Sequence, residues 1–390
     1  MKKKIVFVMK ALWIGGIETA LVNLLKEFDY DKYDVTLLVL KAELDMLGQI
    51  HPKCRVLIVD RDETVTFQKK YRFSRLYHLT EEPENPSLLH KAMIWTVPLI
   101  RWVENCLYIR YIRKLMRDEK FDTVVIYSDV AGETAVKAIK SEHYLMFYHH
   151  GAIRCVYHDA VAYRRCEKII AVSVNQAVAL REFHPKYKDK IVVVHNLTDV
   201  DGIRKKAEDF SEEKFDGEKF NIVSVGRVSH EKGMDIAVRA CAELVKNGYS
   251  NICWWIVGDG PAMQEVKALI KELCLEKYVI TTGMKKNPYP YIRQADLYVQ
   301  PSRFEAFGLT ILEAMILGKA VVATSSMGAS EIIDDGKTGL LCEANADKMS
   351  KRIEHLIRNP EELRELTLAV HQMDLKEQNK YNMVMLEKLL

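Results

Sequence analysis

A chain of 390 residues is too long for one ordinary hydrophobic core, so two domains are expected. Its 48% hydrophobic and 28% charged content excludes a disordered polypeptide, and 57 basic against 54 acidic side chains leave +3, too mild to mark a nucleic-acid binder. The eight cysteines show no C-x-x-C or zinc spacing, which suits reduced core thiols in a cytosolic protein. The opening MKKKIVFVMK has a basic head, a short apolar run and no small-residue cleavage site, so it reads as a first strand rather than a signal peptide. Residues 5–9 form that strand, Gly15-Gly16 follows, and Ala20, Leu21, Leu24 and Leu25 then recur at helical spacing. Strand-like runs return at 35–40, 56–59, 123–127, 144–148, 169–174 and 191–195 with helical patterns between many of them, which predicts a parallel sheet covered on both faces.

Residues 65–117 are basic and aromatic, with Lys69-Lys70-Tyr71-Arg72-Phe73 followed by Trp102, Tyr108, Arg110, Tyr111, Arg113, Lys114 and Arg117. Such a surface suits anionic lipid, or equally a solvated helix face packed on a core. No run approaches the roughly 20 apolar residues of a spanning helix; 93–100 is short and contains Pro98. The expectation is a soluble protein, attached at most to a membrane surface. From Asp199 to Lys219 the chain turns charged, as a helix or linker leading to a second domain. The strand–helix alternation then restarts, with strands expected at 221–226, 253–257, 278–282, 297–300, 320–323 and 339–342, and helix from Pro360 to the end. Two successive α/β domains of similar size place a ligand in the cleft between them.

The richest stretch is SRFEAFGLTILEAMILG, residues 302–318. Leu309, Ile311, Leu312, Met315 and Ile316 predict a buried helix beginning near Gly308, with Glu305 in the loop before it and Glu313 in its second turn. A helix N-terminus favours an anion, and the two carboxylates accept hydrogen bonds from neighbouring hydroxyls. A molecule with phosphates in the middle and hydroxyl-rich rings at both ends, such as a nucleotide sugar, fits. In SVGRVSHEKG, Arg227 and Lys232 leave the carboxyl end of a strand, where a guanidinium fork and a mobile ammonium suit a diphosphate; taken alone they read sooner as solvated surface cations. Gly15-Gly16 suits a phosphate approach or a tight turn, and it is not G-x-G-x-x-G. His149-His150-Gly151 ends a strand at the edge where open α/β sheets bind ligands, with Arg154 near; a loop-capping role is the alternative.

Taken in chain order, Gly15-Gly16 with IETALVNLL behind it, SVGRVSHEKG, VGDGP, PSRFEAFGLTILEAMILGKAVVAT and GASEIIDDGKTGLL resemble the retaining nucleotide-sugar glycosyltransferases of the family 4 type. The resemblance implies the GT-B architecture, two Rossmann-like doubly wound domains facing each other across a cleft. Residues 1–198 would form the acceptor-side domain, 199–372 the donor-side domain, and 373–390 a helix returning to the first. By the same resemblance Arg227, Lys232, Gly15 and Gly16 would hold the donor diphosphate, Glu313 the ribose, and Glu305 the transferred sugar. The backbone of Phe307, Gly308 and Leu309 would contact sugar and phosphate, and His150 matches the family's first-domain histidine, with His149 the other choice. No cofactor or metal is implied. The donor would be a UDP-sugar, or a GDP-sugar, and the acceptor a glycan or lipid-linked glycan of a bacterial capsule, exopolysaccharide or envelope polymer. The location implied is cytoplasmic, at the inner face of the membrane, with peripheral contact to anionic lipid. Ala306 and Leu197 stand where the family often has glycine. The competing readings are another GT-B enzyme, such as a UDP-sugar epimerase or a phosphorylase, and a non-catalytic GT-B scaffold subunit.

Overall fold

The computed structural model describes residues 2–59, 102–103, 105–153, 159–209 and 213–390. Seven strands form the first sheet: β1 (Lys3–Met9), β2 (Tyr33–Val39), β3 (Arg55–Ile58), β4 (Thr123–Ile126), β5 (His143–Tyr148), β6 (Lys168–Ala171) and β7 (Ile191–Val193). Six form the second: β8 (Phe220–Val225), β9 (Ile252–Val257), β10 (Val279–Gly283), β11 (Leu297–Gln300), β12 (Val321–Thr324) and β13 (Leu340–Cys342). The strand orders are β3-β2-β1-β4-β5-β6-β7 and β10-β9-β8-β11-β12-β13, with every named pairing parallel. Runs such as IVFVM in β1 and ICWWIV in β9 are buried along their length, as strands covered by helices on both faces must be.

In each sheet the order reverses beside the first strand of its domain, between β1 and β4 and between β8 and β11. Loops leaving the carboxyl ends at such a reversal diverge to opposite faces and open a crevice. Gly15-Gly16, His149-His150, Arg227 and Glu305 all lie on loops that leave carboxyl ends of these strands, after β1, β5, β8 and β11.

Some expected boundaries move. The run 169–174 stops being strand at Ala171, because Ser173 takes an extended conformation and its side chain accepts from the Gln176 N–H, starting a helix at Val174–Phe183. β7 ends at Val193 rather than residue 195. The charged connection holds a helix, Val200–Lys206, capped by Asp199. The stretch after Pro360 is two helices, Pro360–His371 and Leu375–Glu387, the second capped by Asp374. A further helix, Ala346–Arg358, is started by Asn345, which accepts from the Asp347 and Lys348 N–H groups.

One apolar cluster fills the outer side of the first sheet and another the interior of the second domain, while a third runs from Phe7 and Phe147 through Leu197 and Val200 to Val225, Phe307 and Leu386. That third cluster joins the domains. The helix Leu375–Glu387 lies back on the first domain, where Thr123 Oγ1 donates to the Leu390 carbonyl at 3.1 Å and Lys32 pairs with Glu387 at 2.9 Å.

Candidate active site

The loops after β8 and β11 are fastened together from below. Lys232 closes a single 3-10 turn, His230–Lys232, and Gly233 follows it in the left-handed region at φ 64°, where a Cβ would overlap the Pro301 carbonyl. Arg303 forks onto Asp235 at 2.7 and 2.6 Å and donates to the His230 carbonyl at 2.9 Å. Lys232 Nζ thereby stands 2.6 Å from Glu305 Oε2. Beneath Glu305, Ser302 Oγ donates to it at 3.2 Å and accepts from Gln300, which in turn accepts from Tyr298 and Thr310. This buried relay fixes the rotamer of Glu305 and leaves one face of its carboxylate for a ligand.

Gly308, at φ 100°, turns the chain into the helix Leu309–Ile316. Glu313 sits on that helix, 6% exposed, and its Oε1 accepts from the Tyr289 hydroxyl at 3.2 Å. Burial pushes its carboxyl up to about 7, against the Tyr289 hydrogen bond and the Lys206 ammonium. Tyr289 is raised in turn, by burial first and by Glu313 second.

Across the cleft, Gly15 and Gly16 begin the helix Gly16–Glu27. Glu18 in its first turn is buried, and burial raises its carboxyl against its own backbone N–H and the facing Arg227 guanidinium. Arg227 itself is exposed. The two histidines, just past the end of β5, point into different surroundings. His149 is buried, stacked on Phe147 with ring centroids 5.6 Å apart and tilted against Tyr127 at 4.7 Å, and burial lowers its imidazole to about 4. His150 is partly exposed, with Nε2 2.7 Å from Asp129 Oδ2. A Cβ on Gly151 would stand 2.9 Å from the Glu305 nitrogen, so the His150-Gly151 edge abuts the Glu305 loop.

Lys232, Glu305, Phe307, Gly308, Leu309 and Glu313 therefore share one wall, and His150 and Gly15-Gly16 belong to the facing one. Asp129, Tyr289, Ser302, Arg303 and Glu18 complete the site without having been singled out in the sequence. Of these only Glu18 had a signal, its place two residues past Gly16. Arg154 and Lys69–Phe73 lie outside the described residues. Residues 105–115 are helical, burying Ile109 and Ile112 and exposing Arg110, Arg113 and Lys114. Among the described residues no helix is long and apolar enough to cross a membrane.

Two parallel, doubly wound domains meeting at their carboxyl-end loops are the GT-B architecture. Residues 205–371 match the family Glycosyl transferases group 1, and the second lobe is a domain of that family. The chain is 34% identical over 144 residues to alpha-D-kanosaminyltransferase of Streptomyces kanamyceticus, covering 36% of this chain and 37% of that one. It is 35% identical over 159 residues to the N-acetylgalactosamine-N,N'-diacetylbacillosaminyl-diphospho-undecaprenol 4-alpha-N-acetylgalactosaminyltransferase of Campylobacter jejuni, covering 40% of this chain and 41% of that one. These alignments thus span about two fifths of each relative. The crystal structure of HepE from Anabaena in complex with UDP superposes with a TM-score of 0.69 at 18% identity, covering 99% of this chain and 100% of that one.

Proposed function

We propose that the protein is a retaining, metal-independent glycosyltransferase that moves a sugar from a nucleotide-sugar donor, a UDP-sugar by preference, to a glycan or lipid-linked acceptor in bacterial capsule, exopolysaccharide or envelope polysaccharide synthesis. The observation that carries this reading is the meeting of Lys232 and Glu305 at 2.6 Å on one wall of an interlobe crevice, with Glu313 buried on the helix that follows the Glu305 loop. The group 1 domain and the UDP in the HepE structure support the nucleotide assignment.

In this reading Arg227 and Lys232 neutralise the donor diphosphate, and the Gly15-Gly16 turn at the first helix approaches it from the other lobe. Glu313 accepts from the ribose hydroxyls. Glu305, held by Ser302, binds hydroxyls of the transferred sugar, and the backbone N–H groups of Phe307, Gly308 and Leu309 hold sugar and phosphate. His150, oriented by Asp129, borders the sugar from the first lobe. The bond between the anomeric carbon and the diphosphate oxygen breaks, and its electron pair stays with the departing nucleoside diphosphate. Positive charge and N–H dipoles aimed at that oxygen are stronger partners for the transition state than for the intact donor. The acceptor hydroxyl bonds to the same face of the anomeric carbon and gives its proton to the leaving phosphate, which accounts for retention without an enzyme nucleophile. The exposed basic face of helix 105–115 rests on anionic lipid at the inner side of the membrane.

Calorimetry with UDP, GDP and ADP, followed by turnover of the matching nucleotide sugars, tests the assignment. UDP binds most tightly, and Lys232→Ala keeps the fold while lowering turnover by about a hundredfold or more, the usual cost of removing one transition-state charge partner. Normal turnover by that variant would refute the role of Lys232. A new sugar nucleotide formed without acceptor would replace the transferase reading with an epimerase.

A further inference from the structure

One carboxylate ties the first lobe to the loop that carries Glu305. Glu331 belongs to the second lobe, on the short helix Ala329–Ile332. Its Oε2 accepts from the Val174 N–H at 2.6 Å and the Asn175 N–H at 3.3 Å, the opening amides of the first-lobe helix Val174–Phe183. Its Oε1 stands 2.6 Å from His195 Nε2, just past β7. That helix already has a cap of its own in Ser173, so Glu331 adds a second cap from the opposite lobe.

The partners of this contact reach the donor wall by three routes. The Gly328 N–H donates to the Glu305 carbonyl at 2.9 Å, linking the Glu331 helix to the Glu305 backbone. Ser173 Oγ donates to the Ala306 carbonyl at 2.7 Å. The His195 ring lies 5.5 Å from that of Phe307, with 23° between their planes. Asn175 Nδ2, donating to the Met327 carbonyl at 3.0 Å, closes the patch.

We propose that Glu331 is a positioning residue: it clamps the lobes at one edge of the cleft and so holds the 305–307 backbone in register with the His150-Gly151 edge. The inference rests on the transferase reading for its functional consequence. Glu331 touches none of the groups assigned to the diphosphate or ribose. Its loss therefore acts more strongly on transfer and on order in the loop than on nucleotide affinity, to which the Arg227, Lys232 and Glu313 side chains contribute beside the 307–309 amides.

The test combines hydrogen exchange, calorimetry with UDP, and turnover of a UDP-sugar that the wild type accepts. In Glu331→Ala, amide exchange speeds up both at 172–176 and at 303–309, and turnover falls about tenfold or more while UDP affinity falls by no more than about threefold. Glu331→Gln, whose amide oxygen still accepts, recovers part of both effects. Faster exchange at 172–176 alone would reduce Glu331 to a helix cap, and a fall in UDP affinity matching the fall in turnover would move it into the donor site; either overturns the proposal. Should Glu331→Ala fail to fold, Ser173→Ala and Asn175→Ala cut the same patch from the other lobe under the same readouts. Failure of the wild type to bind UDP would remove the transferase reading, while the exchange measurements would still decide the clamp.

Discussion

Glu313 is placed where binding and folding make opposite demands. In its proposed role, accepting from ribose hydroxyls, the carboxylate works best ionised, yet it is 6% exposed and burial pushes it up to about 7. The folded pKa lies above the unfolded value near 4.5, so between pH 4.5 and 7 the folded state holds a proton that the unfolded state has released. Stability attributable to this group therefore falls as pH rises through that window, by about 3 kcal/mol in full at roughly 1.4 kcal/mol per unit. His149 has the opposite slope: its imidazole is depressed to about 4, so its contribution is intact above its ordinary value near 6.5 and is lost as pH falls toward 4. The two slopes largely cancel between pH 4.5 and 6.5. Glu313→Gln is expected to stabilise the protein by about 1–3 kcal/mol at pH 8 and by almost nothing at pH 4, unmasking the acid loss from His149. It should also weaken UDP binding about tenfold or more, since an amide leaves one fewer oxygen to accept. Thermal melts across pH 4–8 with calorimetry check both halves. An unchanged melting point at pH 8 would mean that Glu313 is not held in its buried setting.

Helix 105–115 shows how a pattern legible in sequence becomes specific only as a surface. Ile109, Ile112 and Met116 are buried against the first sheet, which leaves Arg110, Arg113, Lys114 and Arg117 on the outside with Leu115. Each basic side chain near an anionic bilayer contributes about 1 kcal/mol at low salt. Reversing Arg110 and Lys114 to Glu is thus expected to weaken binding to phosphatidylserine vesicles by about tenfold or more, leaving neutral vesicles unaffected. Equal sedimentation of the wild type with both vesicle types would end the membrane proposal. The same contrast runs through the site. Glu305 and Glu313 were legible because an apolar helical repeat fixes where the helix begins, and so which carboxylate precedes it. The place of Arg227 and Lys232 after a strand was legible, but taken alone they read as solvated surface cations, and the diphosphate role proposed for them came only with the family resemblance. Tyr289, Ser302, Asp129 and Glu331 were not legible, since each acts through a partner 3 to 157 residues away, as in Ser302–Glu305 and Val174–Glu331. A local pattern carries no trace of such pairings. The strand ends at Ala171 and Val193 were misplaced for a related reason: apolar residues continue past the last ladder bond, and a serine cap or a linker decides where the strand stops.

At the scale of the whole molecule, the connection between the lobes is held by the chain's last helix. Asn379 accepts from the Thr198 N–H at 3.2 Å and donates to its carbonyl at 2.6 Å, forming a two-bond clip on the linker backbone. One turn on, Asn382, 3% exposed, accepts from the His195 N–H at 3.2 Å while its own amide donates to the Gln378 carbonyl. The linker thus pairs with Leu375–Glu387 as though with another strand, and the apolar cluster that joins the domains runs beneath it through Leu197, Val200 and Leu386. Buried backbone groups deprived of partners cost about 1–3 kcal/mol each. Asn379→Ala with Asn382→Ala strands two of them, the Thr198 and His195 N–H groups, and takes one of two donors from the Thr198 carbonyl, which keeps the Val200 N–H. The expected outcome is selective: each lobe keeps its own apolar cluster, so calorimetric unfolding should split from one transition into two as the coupling between lobes weakens. The later lobe, carrying Arg227, Lys232 and Glu313, should still bind UDP with nearly wild-type affinity. Turnover should fall further than binding, because in the proposed reaction a donor held by one wall needs His150 and the glycine turn brought to it by the other. A single sharp transition at the wild-type temperature, with turnover unchanged, would show that the final helix is a passive cover and that the lobes keep their relation by other contacts.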